Sequence, residues 1–332
     1  MIFKCKNCGG NMVYSPKEGS MYCPYCEGTE SWEQVDSPDV GITACPSCYG
    51  QLELDDYDSA TKCPYCDNYI IVNERVEGQY RPQKMIRFLL GKESCKQSIR
   101  EKFKKHKFLP VDFLSEVRLN SMEGTYVPFW FYDYETEASL VAEGTKVKSW
   151  ISGNMMHTET SYYEVSRQMD IPYDMIPADA SYKMPDPVMD LMAPYDYTKL
   201  EDFEPRYLSG FLAERYNMPA EEIEHRAKAR MEKSARSLLK ASAEGYKNLR
   251  PISENIQTKS VEYTYGLLPV WRYDYLYHGK NYPFYVNGQT GKIVGEVPVS
   301  TSKRIIYTGT VFVMLTALWY CFLVLIYLGL NV

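Results

Sequence analysis

Hydrophobic and polar positions alternate differently in each part of the chain. From Ile305 to Leu330 there are 26 residues with no charge and no polar face. About 20 apolar residues cross a hydrocarbon core of roughly 30 Å, so this run predicts a transmembrane helix over 305–330. A buried helix of a soluble core fits poorly, because nothing after Val332 could cover it. Further upstream, Ile223, Ala227, Met231, Ala235 and Leu238/Leu239 recur every three to four residues. They predict an amphipathic helix ending near Ala243, with Asn217 as N-cap and Pro219 in the first turn. Its stripe reads as core. A second helix is expected from about Glu93 to His106, stopped before Pro110. Asp170–Pro205 carries six prolines and cannot be one long helix.

Strand-like alternation is clearest in two related stretches. Tyr126-Val127-Pro128-Phe129-Trp130-Phe131-Tyr132-Asp133-Tyr134 lines up with Leu267-Leu268-Pro269-Val270-Trp271-Arg272-Tyr273-Asp274-Tyr275 at a constant offset of 141. Each reads as a strand opened by Pro, with Trp and Tyr on one face. The second copy continues as a meander: a turn at His278–Asn281, a strand over Tyr282–Val286, a turn at Asn287–Gly291 and a last strand over Lys292–Val299. In the first copy Ala142-Glu143-Gly144-Thr145 is the matching turn candidate. The 30 Tyr against 12 Phe suit half-buried sheet faces.

The cysteines organise the first quarter. Cys5/Cys8, Cys23/Cys26, Cys45/Cys48 and Cys63/Cys66 form four C-x-x-C pairs, arranged as C-x2-C-x14-C-x2-C twice, with the second set 40 positions after the first. Gly10 matches Gly50, and Cys23-Pro24-Tyr25-Cys26 matches Cys63-Pro64-Tyr65-Cys66. Four thiolates on two facing turns are the tetrahedral ligand set of structural Zn²⁺, so all eight cysteines are candidate ligands for two zinc ions. Gly9, Gly28 and Gly50 lie just past their pairs, where such turns call for positive φ. Disulfides are disfavoured because no charged N-region and apolar core of a secretory signal opens the chain. Cys-Pro-Tyr-Cys also resembles a glutaredoxin-type dithiol, but here each motif already has a partner pair.

The whole pattern predicts an α+β protein. Two tandem zinc ribbons occupy 1–38 and 39–78. A Tyr/Trp-rich mixed domain with antiparallel β units and amphipathic helices covers 83–300, and one C-terminal transmembrane helix follows. The net charge of −6 excludes a globally basic nucleic-acid binder. Residues 1–78 hold five Lys/Arg against thirteen Asp/Glu, which argues against phosphate binding and favours protein contact. Residues 84–107 are the reverse, with nine Lys/Arg and two acids, a patch for lipid, the acidic ribbons or nucleic acid. Lys303-Arg304 precede the span and only Asn331-Val332 follow it, so the positive-inside rule places the body in the cytoplasm. Cys321, inside the span, reads as packing.

Catalytic motifs are missing from this sequence. There is no G-x4-G-K-[ST], H-E-x-x-H, G-x-S-x-G or G-x-G-x-x-G, and the four His are scattered. Asp133 and Asp274 occupy equivalent repeat positions, but strand-end acceptors are the expected role. No enzyme is expected.

The chain resembles a bacterial, Firmicute-type family of TFIIB-type zinc ribbon-containing membrane proteins. The resemblance spans nearly all 332 residues. Its most specific parts are Leu208-Ser209-Gly210-Phe211-Leu212-Ala213-Glu214-Arg215-Tyr216 and Asn287-Gly288-Gln289-Thr290-Gly291-Lys292. Some members carry names invoking a primosomal replication helicase, although this chain lacks ATPase motifs. A similar zinc-ribbon membrane protein is encoded beside phage-shock-protein-A-like and SPFH/flotillin-like proteins. The resemblance therefore implies a membrane-tethered adaptor in an envelope-stress or membrane-microdomain system, with the eight cysteines as zinc ligands. A nucleic-acid-binding protein of replication or transcription is the alternative, and a thiol redox protein a minor one. Tyr49 departs from the family's usual C-x-x-C-G.

Overall fold

A computed structural model describes residues 1–29, 31–36 and 44–329, with side chains to residue 327. The expected boundary between 38 and 39, Leu330 at the end of the span, and Asn331-Val332 lie outside the described residues.

The first Cys unit is built from β1 (Ile2–Cys5), the hairpin β2 (Val13–Ser15) and β3 (Ser20–Tyr22), and β4 (Trp32–Val35), which pairs antiparallel with β1. In the second unit, β5 (Asp58–Lys62) pairs with β6 (Tyr69–Ile71). The body begins with β7 (Lys84–Met85), α1 (Lys92–Phe103) and α2 (Glu116–Leu119). Two long strands follow, β8 (Glu123–Ser152) and β9 (Met155–Asp179), and then α3 (Asp186–Met192). The rest of the body comprises β10 (Glu201–Asp202), β11 (Leu212–Glu214), α4 (Ala220–Ser242), β12 (Lys247–Tyr277), β13 (Lys280–Asn287) and β14 (Ile293–Gly295). α5 (Thr301–Gly329) ends the described chain.

One sheet runs β10-β7-β12-β8-β11-β5-β6, with β9 on β8 and β13 and β14 beyond β12. The second Cys unit therefore continues the body's own sheet through β5 on β11. The first unit is tied to the same region. The Tyr14 N–H donates to the Ser209 carbonyl at 2.8 Å, the Ser209 hydroxyl donates to the Met12 carbonyl at 2.7 Å, and Met12, Tyr14 and Phe211 share one core.

The two repeated stretches pair with each other. Val127, the counterpart of Leu268, lies directly opposite it in the antiparallel ladder, so a pseudo-twofold axis passes through that pair. Alternation buries both faces: Tyr126, Trp130, Tyr132 and Tyr134 enter one core, and Val127, Phe129 and Phe131 enter another. Equivalent tips find equivalent partners. The Trp130 and Trp271 indoles donate to the carbonyls of Met218 and Leu90, and the Tyr132 and Tyr273 hydroxyls to those of Ala220 and Phe113. Each half thus clamps its own helical layer to the sheet.

The expected turn at Ala142–Thr145 does not form. β8 runs straight through it, and the chain reverses at Gly153-Asn154, where Gly153 takes φ +62°. Gly144 serves close approach instead: a Cβ there would lie 3.0 Å from Tyr246 and 3.3 Å from Leu249. The strand expected over Lys292–Val299 pairs only at Ile293–Gly295, because the next rung falls on Pro283, which has no N–H to give. Asn217 does not cap α4. Pro219 holds that position, and the Asn217 side chain accepts from the Tyr182 N–H at 3.0 Å. The α4 stripe of Ile223, Ala227, Met231, Ala235 and Leu239 is buried, as the periodicity predicts, whereas Leu238 is exposed.

The three strands β9, β8 and β12 extend beyond the body as an arm. At about 3.3 Å per residue, β8 from Glu123 to Ser152 has a contour of roughly 95 Å. α4 covers one face of its inner half, where Ala138, Leu140 and Ala142 meet Ala235 and Leu239. α5 begins at the other end of the sheet, and none of its most apolar stretch is buried.

Candidate metal centres

All four C-x-x-C turns have one backbone solution. The N–H of the residue after the second Cys returns to the first Cys carbonyl: Gly9 to Cys5, Glu27 to Cys23, Tyr49 to Cys45 and Asp67 to Cys63, at 2.8–3.0 Å. The first Cys N–H in turn reaches the carbonyl of Gly10, Gly28, Gly50 or Asn68. This closure places the residue after each pair at positive φ: Gly9 at +71°, Glu27 at +60°, Tyr49 at +61° and Asp67 at +59°.

The expectation for Gly9 therefore holds, but Gly28 and Gly50 are not left-handed. Gly50 and its counterpart Gly10 make room for a ring. A Cβ on Gly10 would fall 2.5 Å from the Tyr25 ring, and one on Gly50 would fall 2.4 Å from Tyr65. The tyrosine of each Cys-Pro-Tyr-Cys thus lies across the facing turn.

These turns bring the predicted ligands together in two sets, Cys5/Cys8/Cys23/Cys26 and Cys45/Cys48/Cys63/Cys66. Within each set the four sulfurs lie within 4.8 Å of one another. The cross-turn pairs are Cys5–Cys26 at 3.6 Å, Cys8–Cys23 at 3.5 Å, Cys45–Cys66 at 3.7 Å and Cys48–Cys63 at 3.7 Å. Tetrahedral thiolates at a Zn–S bond of about 2.3 Å would be separated by about 3.8 Å. A disulfide needs about 2.05 Å, so the spacing is that of a metal site.

The acid–base chemistry agrees with a metal site. Burial would raise the Cys23 and Cys63 thiols, but nearby backbone N–H groups and thiols bring each down to about 7. The Gly28 N–H favours the Cys26 thiolate, yet Cys8 and Cys5 push it up to about 12. Burial and the same crowding do likewise for Cys66. Four thiols this close cannot all ionise unless a cation sits among them. Zinc, when bound, would supply that charge and crosslink the turns, with four protein ligands and no open position.

Other candidate residues separate. Asp133 and Asp274 do not converge. The Asp133 carboxylate accepts the Met175 N–H at 2.6 Å beside a register shift in β8–β9, whereas Asp274 pairs with Arg272 at 2.7 Å. Asp274 lies in a cleft of about 460 Å³ with Asp58, Glu123 and Glu214. Three of its carboxylates have local partners: Arg272 meets Asp274, Ser181 donates to Glu214 at 2.6 Å, and Lys183 meets Asp58 at 3.1 Å. The 84–107 patch also divides. Lys84 pairs with Asp202, Arg87 with Glu201, and Lys96 and Arg100 with Glu116, all within the body. Lys104, Lys105 and Lys107 stay exposed.

One feature escaped the sequence. The arm tip exposes Trp150, Ile151, Met155 and Met156. The Gly153-Asn154 pair between two polar-apolar stretches is the signal that could have found this hairpin.

The chain is 34% identical over 312 residues to the uncharacterized protein YdjG of Bacillus subtilis (strain 168), covering 91% of each chain. No protein-family model matches the chain. No solved structure matches it either.

Proposed function

The chain belongs to the same family as YdjG of Bacillus subtilis. We propose that it is a membrane-tethered adaptor that gathers protein partners at the membrane. α5 is the tether, and the two Cys sets are structural zinc sites, the second of which stiffens the end of the sheet. Lys303 and Arg304 favour a cytoplasmic body, where thiolates stay reduced.

The observation that carries this reading is the arm. A sheet of three strands, narrowing to the β8–β9 hairpin beyond Thr145, exposes apolar side chains on both faces of its tip, Ile151 beside Met156 on one face and Trp150 with Met155 on the other. Exposed apolar groups gathered at one tip mark an interaction site, here one that a partner grips from both faces. Trp and Met at such a tip offer large contact area to a partner. The family resemblance supplies the partner classes, SPFH/flotillin-like and phage-shock-protein-A-like proteins, in an envelope-stress or membrane-microdomain system. The acidic N-terminal quarter weighs against nucleic acid.

The test is a mild-detergent pull-down of the tagged full chain from its own host, with nuclease, read by mass spectrometry. Wild type should retain SPFH-like or phage-shock-like proteins through nuclease treatment, and a Trp150→Ser/Ile151→Ser/Met156→Ser variant should lose them. Recovery of replication or transcription proteins that vanish with nuclease would replace the adaptor reading with a nucleic-acid one.

A further inference from the structure

The root of α5 is fastened to the loop that follows α1. The Ser300 N–H donates to the Phe108 carbonyl at 2.7 Å. The Phe108 ring meets Tyr307 edge-on at 5.4 Å, and the Lys107 ammonium lies 5.4 Å from the Tyr307 ring centroid. Tyr307 is six residues into α5, about 9 Å along its axis, and beyond Lys303 and Arg304. If α5 spans the bilayer, Tyr307 sits at the level where interfacial tyrosines meet headgroups. Lys107 is then held at that depth by its contact with the ring.

Charge accounting leaves the same corner uncompensated. Four of the nine cations of 84–107 take carboxylate partners in the body. Lys92 and Lys102 donate to the carbonyls of Asn120 and Ile293, both at 2.6 Å. Among the described residues, Lys104, Lys105, Lys107, Lys303 and Arg304 have no carboxylate within ion-pair distance. Glu296, the nearest acid in sequence before the helix, pairs with Lys280 at 3.2 Å. Five cations without carboxylate partners thus lie within about four residues of the contacts that tie Phe108 to Ser300 and Tyr307, with Lys107 itself against the Tyr307 ring.

We propose that this collar is a binding site for the headgroups of anionic phospholipids, so that the protein selects its lipid surroundings as well as crossing them. The inference rests on α5 spanning the membrane. Each Lys or Arg within a Debye length of an anionic surface adds to the attraction. The Ser300, Phe108 and Tyr307 contacts place the lysines beforehand, so little ordering is needed on binding. Cations on a loop packed against the anchor's first turns face headgroup phosphates before any soluble polyanion, which favours lipid over nucleic acid.

The experiment uses the full chain reconstituted in phosphatidylcholine bilayers with trace spin-labelled phosphatidylglycerol or phosphatidylcholine. Electron paramagnetic resonance then reads the lipid held at the protein. Wild type should select the anionic label about three- to tenfold at low salt, and less at high salt. Lys104→Gln/Lys105→Gln/Lys107→Gln should lose most of that selectivity while keeping its metal content, since these side chains are exposed. Equal association of both labels, unchanged selectivity in the triple variant, or displacement of the anionic label by a short oligonucleotide would overturn the proposal. Release of the chain from the bilayer by alkaline wash would instead remove the span beneath it, and the proposal with it.

Discussion

Tyr49 holds φ at +61° although its side chain is 83% exposed and packs on little. A left-handed conformation costs a residue with a Cβ about 1–2 kcal/mol, part of which glycine returns through the extra entropy of its unfolded chain. Tyr49→Gly should therefore stabilise the detergent-solubilised protein by about 0.5–1 kcal/mol, read as a raised unfolding midpoint. A lowered midpoint would mean that the tyrosine ring makes contacts that outweigh the strain. Asp179 behaves in the opposite way. Burial pushes its carboxyl up to about 6, against the Arg226 guanidinium 2.7 Å away that lowers it. A raised carboxyl binds its proton more tightly in the folded state, so its contribution is most favourable at low pH and declines as pH rises from the ordinary carboxylate range through about 6. Arg226→Met leaves Asp179 buried without its partner and should cost about 3–5 kcal/mol at pH 7. That cost should shrink below pH 6, where Asp179 can be protonated. Denaturant titrations at pH 5 and pH 7.5 would show it, and an equal penalty at both would refute the assignment.

At the scale of elements, the chain's length in strand is set by neighbours. Gly266 sits where β12 passes β7. A Cβ there would lie 2.7 Å from the Phe131 ring and 2.9 Å from the Lys84 carbonyl. The backbone cannot move away without breaking the pairing of Gly266 with Lys84. Gly266→Ala should therefore destabilise by about 1–3 kcal/mol, while Gly279→Leu in the exposed turn, open but at φ +77°, should cost only the backbone strain. Comparing the two variants by thermal unfolding separates crowding from conformation. A smaller loss for Gly266 would argue that β7 is loosely held.

For the whole molecule, the link between metal and sheet is the main consequence. β5 enters the cluster at Cys63 and also pairs with β11 of the body, so the second metal set and the body share a strand neighbour. If both sets hold metal and α5 spans the bilayer, as proposed, Cys63→Ser should drop bound metal from two equivalents to one and loosen the β5–β6 edge, while α5 stays in the membrane. Elemental analysis with alkaline extraction checks both parts, and two equivalents retained would sink the ligand assignment. Because thiolate ligands must lose protons, acidification or chelation should release metal from both sets, and metal should return as pH rises.

Local order was legible wherever one short segment sets it. The two C-x-x-C frameworks, the α4 stripe, the apolar run of α5 and the Tyr/Trp strands are written in spacing alone, since a thiolate pair, a 3.6-residue period and a charge-free span each need only their own residues. The Cys-Pro-Tyr-Cys repeat even implied that the two Cys units would be alike, as their shared hydrogen bonds bear out. What the sequence left open depended on segments far apart. A glycine at 144 reads as a turn until Tyr246 and Leu249 are brought against it. Asn217 reads as a cap until Tyr182 takes its side chain. The pseudo-twofold pairing of Val127 with Leu268 required two copies 141 residues apart to meet in register. Likewise, the nine cations of one basic stretch divided into four ion-paired in the body, two bonded to backbone carbonyls and three left exposed before α5 only when the chain folded. Composition counts charges; tertiary structure decides which of them are already paired.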